Sequence, residues 1–342
     1  MDIRVLWTIA SSMGTYSDIE MLKRADGFDI SFIVADRYDK DAIGFELSGK
    51  KYIVPEGGDK RYIDAILKIC ADEKIDAVIP QYSDELVPLS KNMDLFENSG
   101  VKVLVTEDTK MLEIANNKKK LYDYFKGSAF IPSYTYVDDL KSLKEAVLKF
   151  GYPDRPVCIK PADGEGGKGF RIICRDEGMV KSSYPSPNIS LEKLEDELCA
   201  MDEFPEVLVM KYLAGKEYSV DCICKDGDSV VCIPRERIET SMGIATVSIV
   251  EHNEELISIS RDIISKLDLS YNINIQFKYS ESGRPMLMEV NPRVSGSLVA
   301  NLGAGVNMLE LSLKIAYGMP IGCIKVDWGT KMMRYLSQIF IK

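Results

Sequence analysis

The sequence predicts an α/β protein of two domains, with a parallel sheet in the first domain. Residues 1–105 alternate short apolar runs with helical patterns, and this alternation is typical of a parallel sheet with crossover helices. The chain has 342 residues, which at about 150 residues per domain favours two domains. From residue 108 onward, two helical patterns precede many strand-like segments. We therefore place a domain boundary near residue 106.

The individual elements follow from hydrophobic periodicity and from capping signals. The predicted strands of the first domain are residues 3–9, 30–35, 77–80 and 101–105. Its predicted helices are residues 17–25, 59–71 and 83–96, with Ser17, Asp59 and Ser83 as N-caps. Later helices are predicted at residues 108–126, 138–150 and 191–201. The loop at 11–14 lacks the GxGxxG pattern of a dinucleotide site, so the Rossmann-like architecture comes without that signature.

The charge balance argues against nucleic acid as a partner. The chain carries 43 basic and 53 acidic residues, for a formal net charge of −10, which repels a polyphosphate backbone. No apolar run reaches the ~18 residues of a membrane span, and Met1 leads directly into a strand-like segment. We therefore expect a cytoplasmic protein without nucleic-acid or membrane partners.

Cysteine and histidine usage limits the kinds of site that the chain can form. The eight cysteines are scattered without a CxxC pair, and several lie inside apolar runs, so reduced core thiols are the favoured interpretation. His252 is the only histidine. A histidine-rich metal site therefore cannot be assembled from this sequence, and His252, the one histidine that a Ser-His-Asp triad could use, is interpreted as structural.

A glycine-rich turn lies between strand-like runs at 157–160 and 170–174. Its basic and glycine positions are Lys160, Gly164, Gly166, Gly167, Lys168 and Gly169. The glycines satisfy GxGxxG, but a strand follows where a dinucleotide fold needs a helix, and the residue after Lys168 is not the Ser or Thr of a Walker A loop. We predict a mobile flap whose amides and lysines contact phosphate oxygens. The alternative is an ordinary flexible hairpin.

A second motif is a predicted antiparallel hairpin formed by residues 271–277 and 286–292, which flank a turn signal. If a two-residue turn at 282–283 joins the strands, Gln276 lies directly across from Glu289. Their side chains then share one face of the sheet.

This hairpin is a candidate metal site. Asn291 shares the face of Glu289, because strand side chains alternate with a period of two, so Gln276, Glu289 and Asn291 bring three oxygen-bearing side chains together. Mg²⁺ prefers oxygen ligands, usually one or two carboxylates completed by water and phosphates. We therefore predict a magnesium site here, with Arg293 as a phosphate clamp. The alternative is a hydrated sheet face.

The two motifs, in this order and at this separation, resemble the ATP-grasp superfamily, especially its carbamoyl phosphate synthetase large-subunit-like and carboxylate-amine ligase members. The most specific matches are Ile275-Gln276-Phe277 and Met288-Glu289-Val290-Asn291-Pro292-Arg293. The resemblance implies an α+β ATP-grasp fold, in which a pre-ATP-grasp domain at 1–106 precedes a two-lobed ATP-grasp domain at 107–342. It further implies a lid subdomain at about 127–209 and a catalytic subdomain at about 210–342.

The resemblance assigns nucleotide-binding roles to individual residues. Lys118 and Lys160 resemble the family's two basic phosphate contacts, and Lys119 could replace Lys118 under a one-residue shift. Glu217 resembles the carboxylate that holds the ribose hydroxyls. The predicted hinge strand that reads adenine contains Lys211, Tyr212 and Leu213, and the flap and Gln276 complete the nucleotide set. For each lysine, the alternative is a solvated surface charge.

The resemblance also implies a catalytic and a metal set. The catalytic residues are Arg293, Lys160 and Arg235, and the metal ligands are Gln276, Glu289 and Asn291. Arg235 and Arg237 alternate on one strand and could face an acyl phosphate, although a pair of exposed arginines is an equal alternative. Residues 11–15 and 295–307 could line the substrate side, or could be ordinary turns and helix packing.

The function implied by the resemblance is an ATP-dependent ligase that activates a small carboxylate, an amino acid being one candidate, as an acyl phosphate for capture by an amine. ATP and Mg²⁺ are the implied cofactors, with Mn²⁺ as the alternative metal. Two other functions stay open: a carbamoyl phosphate synthetase-like half that needs a partner chain, and a non-catalytic nucleotide-binding regulatory module. The expected partners are small-molecule substrates, and a homodimer is one possible assembly.

Overall fold

The structure is a computed structural model that describes residues 1–161, 169–176, 180, 187–241 and 243–340. Within these ranges, three β-sheets of five, five and six strands form the framework, and helices pack on their faces. No helix in the described part of the chain is both long and apolar enough to cross a membrane. The mixed α/β architecture predicted from the sequence is confirmed.

The N-terminal sheet is parallel, as predicted, with the strand order β3-β2-β1-β4-β5. Its strands are β1 (Asp2–Trp7), β2 (Asp29–Asp36), β3 (Tyr52–Ile53), β4 (Ala77–Ile79) and β5 (Lys102–Val103). Its helices are α1 (Thr15–Lys23), α2 (Ile43–Ser48), α3 (Tyr62–Glu73), α4 (Ser83–Lys91) and α5 (Met93–Asn98). The order reverses between β1 and β4, which makes the carboxyl ends of these strands the expected place for a ligand.

The three predicted N-caps of this domain are wrong. The residues in the cap positions are Gly14, Arg61 and Tyr82. At α4 the N-cap is Tyr82, one residue before the predicted Ser83. The Glu85 carboxylate accepts a hydrogen bond from the Tyr82 backbone N–H at 2.8 Å and closes a capping box. The helix predicted at 83–96 is two helices, since the side chain of Asn92 bonds the Pro88 carbonyl at the break.

The middle sheet has the strand order β6-β10-β7-β8-β9. Its strands are β6 (Tyr134–Val137), β7 (Val157–Pro161), β8 (Arg171–Ile173), β9 (Asn188–Ile189) and β10 (Val207–Lys211). The helices α8 (Leu140–Lys149) and α9 (Leu191–Cys199) pack their apolar stripes on it. Strands β7 and β8 pair antiparallel, which confirms the two strands predicted on either side of the glycine-rich turn.

The C-terminal sheet is antiparallel, with the order β15-β14-β11-β12-β13-β16. Its strands are β11 (Glu217–Lys225), β12 (Asp228–Ser241), β13 (Ile244–Val250), β14 (Tyr271–Tyr279), β15 (Pro285–Asn291) and β16 (Lys331–Met333). The remaining helices are α6 (Thr109–Asn116), α7 (Lys118–Tyr124), α10 (Glu254–Lys266), α11 (Val299–Gly303) and α12 (Met308–Ala316). The helix predicted at 108–126 is divided at Asn117, whose side chain caps α7 by accepting from the Lys120 N–H.

In the β14–β15 hairpin, the predicted pairing of Gln276 with Glu289 is confirmed, but the predicted turn is wrong. The connection is a three-residue loop at 281–283 and not a two-residue turn, since the Ser280 N–H bonds the Arg284 carbonyl. That loop alone would shift the register by one residue. A bulge next to Phe277 shifts it back, so Gln276 pairs with Glu289 as predicted.

The cysteines are free thiols, six of them buried, as the sequence suggested. The predicted limits of the two domains, of the lid and of the catalytic subdomain stay predictions, because sheet membership alone does not define where each unit ends.

Candidate active site

A cleft of about 600 Å³ runs between the N-terminal and C-terminal sheets. Gln81 and Tyr82, which follow β4, and Ile9 and Ser12, which follow β1, line one wall. This is the crevice at the strand-order reversal. Eight of the predicted site residues line the same cleft: Lys118, Lys160, Glu217, Arg235, Gln276, Glu289, Asn291 and Arg293. Side chains from six separate elements therefore converge on one space.

The wall formed by the loop after β4 is held by one buried carboxylate. Glu85 accepts hydrogen bonds from the Tyr62 hydroxyl, the Thr8 hydroxyl and the backbone N–H groups of Gln81 and Tyr82. Burial raises the pKa of Glu85 to about 7, and these donors pull it down. A carboxylate with four donors fixes the loop in place before any ligand enters.

Lys118 and Glu289 form the centre of the basic part of the cleft. The Lys118 Nζ lies 3.6 Å from Glu289 Oε2, and Asn291 Nδ2 donates to Glu289 Oε1 at 3.0 Å. Lys118 reaches this point because it is the first residue of α7, and α7 is tied to β15 by the Tyr122 hydroxyl, which donates to the Leu287 carbonyl at 2.8 Å. Lys119 instead pairs with Glu206, outside the cleft.

Two lysines and one carboxylate shape the electrostatics of this cluster. Burial and the neighbouring charge of Lys118 lower the pKa of Lys160 to about 8, against the opposing pull of Glu289. Burial would raise the pKa of Glu289, but Lys118 and Lys160 outweigh it and hold that pKa below its usual range. A ligand with several negative charges would relieve the repulsion between the two lysines.

A polar network lies on the sheet beneath the cleft. Gln276 Nε2 donates to Asn274 Oδ1 at 3.4 Å, and Asn274 Nδ2 donates to Asp221 Oδ1 at 2.7 Å. Asn301 Nδ2 donates to the other oxygen of Asp221 at 2.9 Å. Asp221 is thereby almost fully satisfied although it is only 1% exposed.

Arg235 is the buried cation of the cleft. Its Nη2 lies 3.2 Å from Asp221 Oδ2, and the residue is 1% exposed, so the alternative of exposed arginines is wrong for this position. Burial lowers the pKa of Arg235, Asp221 acts to raise it, and Arg237 acts to lower it further. Within the described residues, its Nε and Nη1 have no hydrogen-bond partner. A buried guanidinium with unused donors on a cleft is suited to an anionic ligand.

Arg293 joins the two walls of the cleft. It follows β15, its Nη1 donates to the Val294 carbonyl at 2.9 Å, and its Nε donates to the Ser83 hydroxyl at 3.3 Å. Ser83 begins α4 of the N-terminal domain. Arg293 therefore lines the cleft and also connects the C-terminal sheet to the opposite wall.

The predicted ribose contact and the predicted adenine contacts line different cavities. Glu217 Oε1 is 2.9 Å from Arg237 Nε, and its other oxygen is 3.9 Å from Lys278 Nζ. Lys278 also lies 5.4 Å from the centre of the Tyr212 ring. The hinge residues Lys211, Tyr212 and Leu213 line an adjacent cavity of about 290 Å³ and not the main cleft. The predicted contacts Gly164, Gly166, Gly167 and Lys168 lie outside the described residues.

Sequence reasoning missed several cleft residues. Asp18, Asp221, Asn274 and Lys278 all line the cleft or support its floor. A signal existed for two of them: Asp221 interrupts an apolar strand, and Asp18 lies on the apolar face of α1 beside Ile19. Of the segments proposed for the substrate side, Ser12 and residues 295–297 do line it.

Two family models match separate parts of the chain. Residues 11–104 match a PylC-like N-terminal domain. Residues 203–334 match a family described as ATP-grasp in the biosynthetic pathway with Ter operon. The second match contains the hairpin with Glu289 and the strand β12, which carries Arg235 and Arg237.

Curated relatives are about one quarter identical in sequence. The carbamoyl phosphate synthase large chain of Clostridium acetobutylicum is 25% identical over 84% of this chain and 26% of its own length. A carbamoyl-phosphate synthase of Methanobrevibacter smithii is 22% identical over 89% of this chain and 78% of its own length. The chain spans about a quarter of the length of the large chains that it matches.

Solved structures share the fold over nearly the whole chain. The N5-carboxyaminoimidazole synthetase of Staphylococcus aureus, complexed with ADP, has a TM-score of 0.71 at 13% identity and covers 98% of this chain and 82% of its own. The L-amino acid ligase of Bacillus licheniformis has a TM-score of 0.63 at 14% identity, over 92% and 74%. At these identities the likeness concerns the fold.

Proposed function

The chain belongs to the ATP-grasp superfamily, and on that premise we propose that it is an ATP-dependent ligase joining a small carboxylate to an amine. The observation that carries the proposal is the cleft in which Lys118, Lys160 and Glu289 lie on the same surface as the buried Arg235. One part suits phosphate groups, and the adjoining part suits a carboxylate. ADP and phosphate are the other products.

The proposed reaction has two balanced steps. A carboxylate oxygen attacks the γ-phosphorus of ATP, the bond from that phosphorus to the β-phosphate oxygen breaks, and ADP leaves. The amine nitrogen then attacks the carbonyl carbon of the acyl phosphate, the bond from carbon to the phosphate oxygen breaks, and the amine loses a proton. Neither step needs a nucleophile from the protein, which fits a chain with one histidine.

The basic part of the cleft would bind and orient the nucleotide phosphates. Lys118 and Lys160 stand where phosphate oxygens can neutralise their mutual repulsion. Charge stabilisation of this kind is the main catalytic contribution in phosphoryl transfer, because the transferring group carries charge on several oxygens. Phosphate binding would also return the pKa of Lys160 toward its usual value.

The hairpin fits a magnesium ion. Asn291 uses its amide nitrogen on Glu289, and Gln276 uses its amide nitrogen on Asn274, so both amides keep an oxygen for a cation. One carboxylate and two amide oxygens match the partial set that Mg²⁺ takes when phosphates and water complete the shell. The ion, or Mn²⁺ in its place, would neutralise charge at the phosphates.

Arg235 and Arg293 would hold the carboxylate and then the acyl phosphate. Arg235 lines the cleft, and its Nε and Nη1 have no hydrogen-bond partner within the described residues, so its guanidinium can attract a carboxylate and donate hydrogen bonds to it. The Asp221 network beneath keeps the guanidinium in place. The two arginines thus position the attacking oxygen near the γ-phosphate.

The test follows ADP release from MgATP with pooled small carboxylates, amino acids included, and pooled amines. Release that needs both pools and disappears in Glu289→Ala supports the ligase. The matched control is Glu255→Ala, an exposed residue of α10 that lines neither the cleft nor the cavity of the hinge residues. ATP binding without stimulated release from any pool would contradict the proposal.

A second candidate is a synthetase-like half that needs a partner chain, which is favoured by the match to about a quarter of the synthase large chains. It predicts that a partner chain restores turnover to a protein that binds ATP but is otherwise inactive. A nucleotide-binding module without a reaction has no observation in its favour. The cytoplasmic location and a homodimer stay predictions.

A further inference from the structure

Asp18 is a buried carboxylate on the wall of the cleft opposite the C-terminal sheet. It lies on α1, is 4% exposed and lines the cleft. Within the described residues, its side chain receives no hydrogen bond and has no ion pair within 4.0 Å. Buried carboxylates are normally paired or hydrogen-bonded. An unpaired one that faces a cleft requires an explanation.

The nearest cation, Arg334, does not neutralise Asp18. Its three nitrogens donate to backbone carbonyls: Nε to Ala245, Nη1 to Met13 and Nη2 to Gly296. Burial raises the pKa of Asp18 to about 8, and Arg334 opposes this only in part. Arg334 therefore holds three wall segments together, and Asp18 is an unpaired carboxyl that keeps its proton at neutral pH until a cationic ligand binds and displaces that proton.

Backbone oxygen surrounds the same position. A methyl group placed on Gly14 would lie 3.0 Å from Asp18 Oδ2 and 3.2 Å from the Gly296 carbonyl oxygen. These two oxygens therefore lie on the same side of Gly14, where a larger side chain would be crowded. A carboxylate and a carbonyl oxygen together are acceptors for a group with several N–H donors, such as a protonated amine.

Asp18 and Arg235 belong to the same part of the cleft. Burial lowers the pKa of Arg334, Asp18 acts to raise it, and Arg235 acts to lower it, which places both within electrostatic reach of this one guanidinium. The lining of the cleft thus includes both an unpaired acid and a guanidinium with unpartnered nitrogens, which suits a single zwitterionic ligand or two adjacent ligands.

We propose that Asp18 binds the protonated amine of a substrate. Two sources share this chemistry: the ammonium group of an amino acid whose carboxylate is activated at Arg235, and the acceptor amine that captures the acyl phosphate. The proposal rests on the ligase function for the identity of the ligand. The presence of an amine-binding site can be tested without turnover.

The first experiment measures binding by calorimetry in the presence of Mg²⁺ and a non-hydrolysable ATP analogue. The probes are pooled amino acids, the matching des-amino carboxylates, and pooled alkylamines. We expect amino acids or alkylamines to bind at least about tenfold more weakly to Asp18→Asn, since one charge-assisted hydrogen bond is lost. The control is Glu20→Gln on the same helix, whose side chain pairs with Lys23.

The second experiment separates the two sources by trapping the acyl phosphate with hydroxylamine, which is largely uncharged at neutral pH. The hydroxylamine nitrogen attacks the acyl carbon, phosphate leaves, a proton is lost and a hydroxamate forms. If Asp18→Asn raises the KM for the amino acid about tenfold in this trap, the activated substrate carries the amine. If it raises only the KM for the acceptor amine in the complete reaction, the acceptor is the ligand.

The outcomes distinguish this inference from the ligase proposal. Amine binding that depends on Asp18, without ADP release from any pool, would retain the amine site and contradict the ligase. ADP release that des-amino carboxylates and amines support equally well in Asp18→Asn and in the unmodified protein would retain the ligase and overturn the amine site. Equal binding of every probe to both proteins would also overturn it. The melting temperature of Asp18→Asn verifies that it is folded.

Discussion

The two ends of the cleft are built on opposite electrostatic principles. At the phosphate end, defined by Lys118, Lys160 and Glu289, opposite charges lie within 3.6 Å of each other. At the amine end, defined by Asp18 and Arg334, the guanidinium is used on carbonyls and the carboxylate is left unpaired. The phosphate end therefore contains an internal ion pair and one lysine in excess before a ligand binds, whereas the amine end contains no such pair and is completed by its ligand.

Four substitutions test this account of the cleft, and Arg235→Met has the largest expected effect. It leaves Asp221 buried without its cation, which costs about 3–5 kcal/mol of unfolding free energy. Urea denaturation measures the loss, and adding Asp221→Asn should recover part of it. The exposed Arg284→Met is the control, with a change within about 0.5 kcal/mol. Equal losses for Arg235→Met and Arg284→Met would show that the buried pair does not support the cleft.

At the phosphate end, Glu289→Gln should lower the rate of ATP turnover by about 10²–10³-fold, because the single carboxylate of the proposed metal set is lost. Steady-state ADP release measures this. Glu255→Gln on α10, which lines neither cavity, should keep the rate of the unmodified protein. A Glu289→Gln protein of full activity would remove Glu289 from the reaction.

At the amine end, Asp18 should make stability depend on pH. Its pKa is raised from 3.8 to about 8, so the folded protein holds a proton that the unfolded chain releases. The contribution of this group is complete below about pH 4 and is lost as the pH rises toward 8. Relative to Asp18→Asn, the stability should fall by about 2–3 kcal/mol between about pH 5 and pH 7.

Chemical denaturation of the two proteins across this pH range measures the effect, with Glu20→Gln as the control. Parallel stability curves for the unmodified protein and Asp18→Asn would mean that the carboxylate is paired in solution. The amine end would then resemble the phosphate end.

Tyr122→Phe has the smallest expected effect. It removes the hydroxyl that joins α7 to β15 at the Leu287 carbonyl, which should cost about 1 kcal/mol. Tyr124→Phe removes a hydroxyl bonded to the Lys266 carbonyl on the surface, and it should cost less. Denaturation midpoints compare the two, and a Tyr122→Phe loss no larger than that of Tyr124→Phe would show that the buried bond does not stabilise the phosphate end.

The phosphate end was more visible in the sequence than the amine end, because much of it comes from one hairpin. A period of two and a two-residue turn predicted the pairing of Gln276 with Glu289. The prediction of the turn was wrong, and the pairing holds only because a bulge without a clear sequence signal offsets the longer loop. The β-strand period by itself gives only the shared face of Glu289 and Asn291.

The amine end joins segments that are far apart in the chain, and no local pattern connects them. Asp18, Gly296 and Arg334 meet only because α1, the loop after β15 and the end of β16 pack together. A single acid on an apolar helix face was the one available signal. The parallel N-terminal sheet was predicted from alternation, whereas the short strand β3 and helix α2 were too brief to be recognised.

The proposed ligase reaction requires that a carboxylate attacks the γ-phosphate of ATP in this cleft. The most direct test uses carboxylate substrates labelled with ¹⁸O in both oxygens and measures the mass of the phosphate released. Attack by the carboxylate transfers one labelled oxygen to each phosphate, and we expect this product from the unmodified protein but not from Glu289→Gln. Unlabelled phosphate would mean that water attacks ATP, and this result would contradict ligase chemistry.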